Sequence, residues 1–328
     1  MVTTQRVRGL YGAELEPVLD TAARATWLEV PEGEEAKTLE LAGRLWSQLL
    51  VSGGKRDSRL LAFGGGSAGD LGGFVAGCFL RGIEVVQLPT TLLAQVDAAI
   101  GGKTAIDLPE GKNMVGLFHH PAQVVADARW LASLPREQLR AGLAEVVKMA
   151  ALLDAALLAR VEADLDALLA GQPAALGPVV AAAAAAKVRV VEEDPLESGL
   201  RKVLNFGHTL GHALETVLGY QGLLHGDAVA YGMLFALRLA EARGLAAELA
   251  PRLRQLLGRF GLPSLPPGLD PETLIAALGR DKKAREDGLT WVLPAPLEDH
   301  RLFSKVAPEE VRAHLDSFLR DPLAPEMT

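Results

Sequence analysis

A single cysteine, Cys78, stands in a chain of 328 residues. One thiol excludes an intrachain disulfide and a thiolate metal cluster. Cys78 lies in an apolar run and is expected to be a buried core residue rather than a nucleophile. Excess basic charge is missing as well: 33 Lys and Arg face 41 Asp and Glu, for a net charge of -8 and a pI near 5.5. That balance carries no nucleic-acid footprint, although an acidic chain can still hold a local basic pocket for an anionic substrate. No uninterrupted apolar stretch reaches the ~18–20 residues of a membrane span. The Ala run at 181–186, flanked by Lys187 and Arg189, reads as helix. Residues 1–8 have neither the apolar core of a signal peptide nor an Arg-rich transit pattern, so the cytoplasm is the expected location.

What is present is ample apolar material, 49% of the chain, with 23% charged residues. That suits an ordinary globular protein with room for two cores. In the first part, short apolar strands alternate with helical patterns, the mark of a parallel α/β sheet. Strands are expected at 60–63, 83–88 and 124–127, with a helix at 71–80. From Pro135 onward, Ala- and Leu-rich segments of helical period dominate, at 136–170, 174–193, 207–218, 227–258 and 271–280. Only 289–293 looks strand-like there. The expected organisation is an α/β domain over 1–134 followed by a mostly helical domain over 135–328.

Gly64-Gly65-Gly66-Ser67-Ala68-Gly69-Asp70 falls between a strand and a helix, with Gly64, Gly66 and Gly69 in the G-x-G-x-x-G spacing. Glycines there let the backbone approach a pyrophosphate, and the helix N-terminus favours its charge. A tight structural turn is the competing reading of the same glycines. Asp70 falls where an N-cap or first-turn acid is expected. Pro89-Thr90-Thr91 follows a strand, where ligands gather in open α/β sheets. Gly102-Lys103-Thr104 is not a P-loop, because Asp97 occupies the position of its first glycine and would repel phosphate. Lys103 and Lys112-Asn113 still offer cation and amide donors in glycine-rich loops.

In the helical part, Glu145 and Lys148 lie three apart and share a face. His208 and His212 are one turn apart, and Thr209 between them rules out a zincin motif. His225 follows at a loop-to-helix junction. With Glu145, these histidines compose a two-His, one-carboxylate site open to substrate and suited to zinc. His119, His120, His300 and His314 have no such context. Arg201, Lys187 and Lys282-Lys283 add cations.

Together these residues resemble the 3-dehydroquinate synthases over nearly the whole chain. The matching blocks are Gly33-Glu34-Glu35-Ala36-Lys37, 64–74, Arg81-Gly82-Ile83, 89–107, Gly111-Lys112-Asn113, 142–148, 197–215, His225-Gly226 and Asp281-Lys282-Lys283. The resemblance implies an NAD-binding α/β domain ahead of a metal- and substrate-binding helical one. It implies Glu145, His208 and His225 as ligands of zinc, or cobalt in its place. It implies NAD contacts at Glu32, Gly33, Glu34, Glu35, Ala36 and Lys37, at Gly66, Ser67, Ala68, Gly69 and Asp70, and at Thr90 and Thr91. Further NAD contacts are implied at Trp130, Leu131, Ala132 and Ser133, with Lys103 and Lys112 bordering nucleotide and substrate. Asp97, Lys148, Lys187, Glu197, Arg201, Asn205, His212 and Lys282 match substrate-site positions. Asn113 matches a phosphate ligand of its own subunit, and Arg81 an arginine reaching the partner's substrate phosphate in a homodimer.

The implied reaction cyclises a seven-carbon keto-sugar acid phosphate: transient oxidation by NAD, phosphate elimination, reduction, ring opening and an internal aldol closure. Rival readings are another sugar-phosphate cyclase, a metal-dependent alcohol or glycerol dehydrogenase, and a non-catalytic NAD-binding module. Asp227 stands where Glu is usual, Ser133 where Thr is usual, and Pro195-Leu196 replaces an acidic pair. Ahead of Gly33 the family carries an extra opening strand or two, with an acid at the adenosine end of NAD. This chain is expected to offer only a helix over 13–25 and one short strand, through a misassigned start or a trimmed sheet edge.

Overall fold

The computed structural model describes residues 1–22, 24–280, 290–294, 300–304 and 306–325. Two compact units divide the chain: Met1–Pro135 with Gly171–Leu196, and Arg136–Ala170 with Glu197–Thr328. The sequence pattern suggested one boundary near 135. The chain instead crosses again at 170/171 and 196/197, because the long helix at 173–193 groups with the first unit.

The first unit holds strands β1 (Val2–Thr4), β2 (Leu28–Val30), β3 (Arg59–Gly64), β4 (Glu84–Pro89) and β7 (Gln123–Val124) in one parallel sheet, order β2-β1-β3-β4-β7. Helices α1 (Gln5–Leu19), α2 (Leu39–Val51) and α3 (Gly66–Cys78) link them. Thr4 and Thr38 cap α1 and α2, their hydroxyls accepting from Val7 and Leu41 N–H. The opening strand that the sequence pattern lacked is therefore present. It is an interior strand: Val2 pairs with Leu28 on one side and Ala62 on the other. Three residues are too few for periodicity to reveal a strand. The helix after it covers 5–19 rather than 13–25.

The antiparallel strands β5 (Lys103–Leu108) and β6 (Gly111–Phe118) form a hairpin against α3. Lys103, Lys112 and Asn113 thus lie on strands, not in the loops their glycine neighbours suggested. Glycines let α3 approach sheet and hairpin at once: a Cβ on Gly72 would stand 2.7 Å from Ala62 Cβ, and one on Gly73 2.3 Å from Thr104 Cγ2. Cys78, expected to be buried, is exposed at the last residue of α3.

In the second unit, α4 (Arg136–Leu153) and α5 (Ala155–Leu169) replace the single helix expected at 136–170. Asp154, at φ -157°, breaks the run and caps α5 by accepting from Leu157 N–H at 2.9 Å. The helix α6 (Pro173–Glu193), of the first unit, packs on the short helical turns Ala94–Ala98 and Ala128–Ser133. It is long and apolar enough to cross a membrane, yet it buries Leu176, Val179, Val180 and Ala183 in the unit's interior.

The second unit continues with α7 (His208–Val217), α8 (His225–Ala242), α9 (Leu249–Gly258), α10 (Pro271–Arg280), the hairpin β8 (Thr290–Pro294) with β9 (His300–Ser304), and α11 (Pro308–Arg320). The expected helix at 227–258 divides at Gly244, whose φ of +68° suits glycine and ends α8. Every residue of α8 from Gly226 to Ala240 is buried, so this helix is the axis of the unit. Arg238, within it, donates to Ser317 Oγ and to the Asp321 and Ala324 carbonyls at 2.8–2.9 Å, pinning the segment after α11.

Candidate active site

In the second unit, α4, α7 and α8 bring Glu145, His208 and His225 together. Glu145 is fully buried and His208 nearly so, while His225 is half-buried at the first residue of α8. Glu145 Oε1 lies 3.6 Å from His208 Nε2 and 3.5 Å from His225 Nε2. The donor atoms all fall within 4.8 Å of one another. Each imidazole is held from behind: His208 Nδ1 is 3.2 Å from the Phe206 carbonyl, and His225 Nδ1 is 3.2 Å from both Glu215 oxygens. Such outer partners fix the tautomer that points Nε2 inward, as in metal-ligating histidines.

Burial alone would disfavour the His225 imidazolium. Contacts with Glu145 and Glu215 outweigh it and lift the ring to about 10. The cluster is therefore electrostatically ready for positive charge at His225 Nε2, and a divalent cation would supply it in place of the proton. The donor set fits a zinc-type ion with three protein ligands.

Lys148, buried one turn along α4, touches Glu145 Oε2. The His212 ring stands 5.3 Å from His208 and stacks 6.0 Å from His225. A second possible cation set is His212, Glu215 and His225. Asn205 Nδ2 donates to Glu197 Oε1 at 2.8 Å, and Arg201 is buried in the short helix Leu200–Asn205.

In the first unit, the strand order reverses between β1 and β3, the switch point at which open sheets bind nucleotides beyond the carboxyl ends of their strands. The glycine turn at Gly64-Gly65-Gly66 lies at that end of β3. Gly65, the N-cap of α3, has no side-chain cap, so the first-turn amides point outward. Asp70, expected at the helix start, lies a full turn inside α3.

Thr91 packs on this turn, because a Cβ on Gly65 would stand 3.2 Å from Thr91 Cγ2, and Thr90 N–H donates to the Gly64 carbonyl at 2.9 Å. Ser67 Oγ donates to Glu34 at 3.0 Å, and Lys112 Nζ is 3.8 Å from the same carboxylate. Lys37 is buried, and its ammonium donates to Asp70 at 2.8 Å and to Asn113 Oδ1. Burial disfavours its charge, but Asp70, Glu34 and Asp107 together hold its pKa above the usual lysine value. Asp70, opposed chiefly by burial and supported by one cation, is pushed up to about 6.

Elsewhere in this unit, Lys187 Nζ donates to the Asp97 carboxylate at 2.6 Å and to its carbonyl at 2.5 Å. Tyr11 donates to the Trp130 carbonyl at 2.9 Å and lies 2.6 Å from Ser133 Oγ, holding the 130–133 turn.

Several of the sequence-derived residues thus gather in clusters within each unit, and Arg81 stands apart from them. Arg81 is exposed at the amino end of β4, the opposite edge of the sheet from the glycine turn. Lys282 lies outside the described residues. Glu215, Asp107 and Tyr11 escaped the sequence reading. Glu215 carried one signal, a place three residues after His212 on the same helix face; for the others the contact is purely tertiary.

The sequence profile of the 3-dehydroquinate synthase N-terminal domain matches residues 27–141, and that of the C-terminal domain matches 142–284. The 3-dehydroquinate synthase of Symbiobacterium thermophilum is 48% identical over 327 residues, covering 98% of this chain and 90% of its own. That of Xylella fastidiosa strain M12 is 48% identical over 303 residues, covering 89% and 82%. Among solved structures, 2-epi-5-epi-valiolone synthase from Streptomyces hygroscopicus, with NAD+ and Zn2+ bound, aligns at a TM-score of 0.89. It has 31% identity, with 97% of this chain and 90% of that one covered. An iron-containing alcohol dehydrogenase from Thermotoga maritima shares the fold alone, at a TM-score of 0.67 and 18% identity over 97% of this chain and 90% of that one. Since both domain profiles are matched in order and a relative near half-identical spans almost every residue, the chain belongs to the 3-dehydroquinate synthase family.

Proposed function

We propose that this chain converts 3-deoxy-D-arabino-heptulosonate 7-phosphate to 3-dehydroquinate and phosphate. The observation that carries the reading is the inward-facing trio Glu145, His208 and His225 with Lys148 beside it, in a chain of this family. Glu145, His208 and His225 would hold a divalent cation such as zinc, which would ease alkoxide formation at the substrate hydroxyls, and NAD in the first unit would supply reversible hydride acceptance at C5. The ketone formed meanwhile acidifies C6–H. That proton leaves and the C7–O bond breaks to expel phosphate; return of the hydride to C5 then leaves no net redox change. Ring opening then frees the C2 ketone, to which C7 adds.

The chain's own part is to bind, orient and neutralise. Asn113, Lys103, Lys282 and a partner subunit's Arg81 serve the phosphate. Arg201 and Lys187 serve the carboxylate, where guanidinium can make two parallel hydrogen bonds. Glu197 and Asn205, joined by a hydrogen bond, serve the substrate together. The glycine turn, Glu34, Asp70, Thr90, Thr91 and the 130–133 segment receive NAD. Holding the reacting groups in register supplies a large part of such a site's effect.

The test is incubation with the heptulosonate phosphate and substoichiometric NAD. Many turnovers of dehydroquinate and free phosphate without net NADH absorbance are expected, and steady NADH build-up would overturn the reading in favour of a dehydrogenase. A cyclase making another carbocycle is the second reading, favoured by the 0.89 and 0.88 TM-scores to 2-epi-5-epi-valiolone and 2-deoxy-scyllo-inosose synthases. Turnover of sedoheptulose 7-phosphate or glucose 6-phosphate as fast as the keto acid would select it.

A further inference from the structure

Gln95 is fully buried in the first unit, within the short helical turn Ala94–Ala98. Its side-chain nitrogen donates to the Pro89 carbonyl at 3.0 Å and to the Asp127 carbonyl at 2.8 Å. Both acceptors are carbonyl oxygens, so the amide is fixed with its NH2 toward them. Its Oε1 has no partner among the described residues, so the nitrogen alone makes the side chain's polar contacts. The two carbonyls belong to segments distant in sequence. Pro89 ends β4 and leads directly into Thr90-Thr91, and Asp127 caps the turn Ala128–Ser133. Strand β4 pairs with β7 only as far as Gln87 and Val124, after which Val125 N–H donates to the Gln87 carbonyl at 2.9 Å. Past that point the Gln95 amide takes the place of the backbone ladder. The backbone around Gln95 is tied to the same place: Gln95 N–H donates to the Thr91 carbonyl at 2.9 Å, and Ala94 N–H to Thr91 Oγ1 at 3.2 Å.

We infer that Gln95 is a positioning residue for the cofactor, setting the spacing between Thr90-Thr91 and the 130–133 segment through its two-carbonyl bridge. The inference rests on the proposed function, in which both segments receive NAD. Without the bridge, two buried carbonyls lose a donor and their like-charged oxygens face each other, which drives the segments apart. That displaces cofactor contacts while leaving Glu145, His208 and His225 alone, because those residues belong to the second unit.

The experiment titrates NAD into the purified, zinc-loaded protein by calorimetry, with zinc content and steady-state kinetics measured alongside. Gln95→Met fills similar space with no donor and is expected to raise the Kd for NAD about tenfold or more. KM for NAD should rise by a similar factor, while kcat at saturating NAD and zinc stoichiometry change less than about twofold. Gln95→Glu keeps the native shape with at most one donor, so it should weaken NAD by about fivefold or more. Packing alone would leave that variant like the wild type. Should both variants fail to fold, hydrogen exchange on the wild type reads the same link: NAD should slow exchange at 90–95 and at 128–133 together. Wild-type NAD affinity in either folded variant, zinc lost in step with NAD, or protection of one segment without the other overturns the inference. Failure of the wild type to bind NAD at all would instead count against the proposed function.

Discussion

The Nδ1 atom of His225 lies 3.2 Å from each carboxylate oxygen of Glu215, and this contact aims Nε2 at Glu145. On the proposed reading Glu215 would be an orienting partner and Glu145 the ligand. Losing an outer partner of a metal-bound histidine typically costs ~10–100-fold in metal affinity. Glu215→Ala should weaken zinc by that factor in chelator competition, whereas Glu145→Ala should abolish stoichiometric binding. The reverse ranking would place the ion in the His212, Glu215 and His225 set.

Helix α8 begins against α4 with no room to spare. A Cβ on Gly226 would stand 1.9 Å from the Ala141 carbonyl oxygen, a backbone atom that no rotamer change can move. Gly226→Ala must push the start of α8 from α4 and separate His225 from Glu145. Overpacking of this kind costs ~1–3 kcal/mol. A lowered urea midpoint together with zinc loss is expected; an unchanged midpoint with full zinc would refute it.

Arg140 on α4 grips Asp227 in the first turn of α8 with two hydrogen bonds, at 2.7 and 2.8 Å, and Asp227 is buried. Breaking one side of a buried pair costs ~3–5 kcal/mol, while replacing both sides with apolar groups is often nearly neutral. Asp227→Ala should therefore be far less stable than the double variant Arg140→Met/Asp227→Leu in urea titrations. Equal losses would show that packing, not the pair, sets the stability there.

Asp70 is held up at about 6, by burial first, with Glu34 and Asp107 adding to it against Lys37. The folded state then keeps the proton up to about pH 6, while the unfolded chain gives it up near the ordinary carboxylate value of 3.8. Stability from this group is present below that lower value and is lost as pH rises toward 6. The difference amounts to up to about 3 kcal/mol. Asp70→Asn, a mimic of the protonated form, should flatten the slope of unfolding free energy between pH 4 and 6. Parallel profiles for wild type and variant would contradict this.

Arg81 projects from the sheet edge opposite the glycine turn, so its proposed phosphate contact needs a second copy of the chain. Mixing Arg81→Ala with Lys148→Ala should restore part of the activity through hybrid dimers. Hybrids that form, by native mass spectrometry, and stay as inactive as either parent would remove Arg81 from the site.

The local part of this protein was open to reading from the sequence. The turn at Gly64 to Gly66 follows from an apolar strand running into glycines, and the Glu145–Lys148 contact from helical spacing. Three of the chain's seven histidines fall together, which made that stretch a candidate metal site, and the family resemblance singled out His208 and His225 within it. Two boundaries needed physics that periodicity cannot supply: Asp154 splits an apolar run by capping, and Gly244 ends α8 by adopting a positive φ. Cys78 sat among apolar neighbours in sequence, yet the turn of α3 puts it on the outside.

By itself the sequence determined the family, the two kinds of domain and the residue types of the candidate metal site, because these depend on residues near one another in the chain or on ordered blocks. Tertiary structure alone decided that Val2–Thr4 lies inside the sheet and that α6 groups with the first unit. It also chose Glu215 to orient His225 and turned Lys37 away from solvent to face Asn113. Each of those outcomes is a pairing between residues distant in sequence or a choice of partner for a buried charge. A buried charge takes the partner that the packed backbone brings within hydrogen-bond reach, and spacing along the chain carries no record of it.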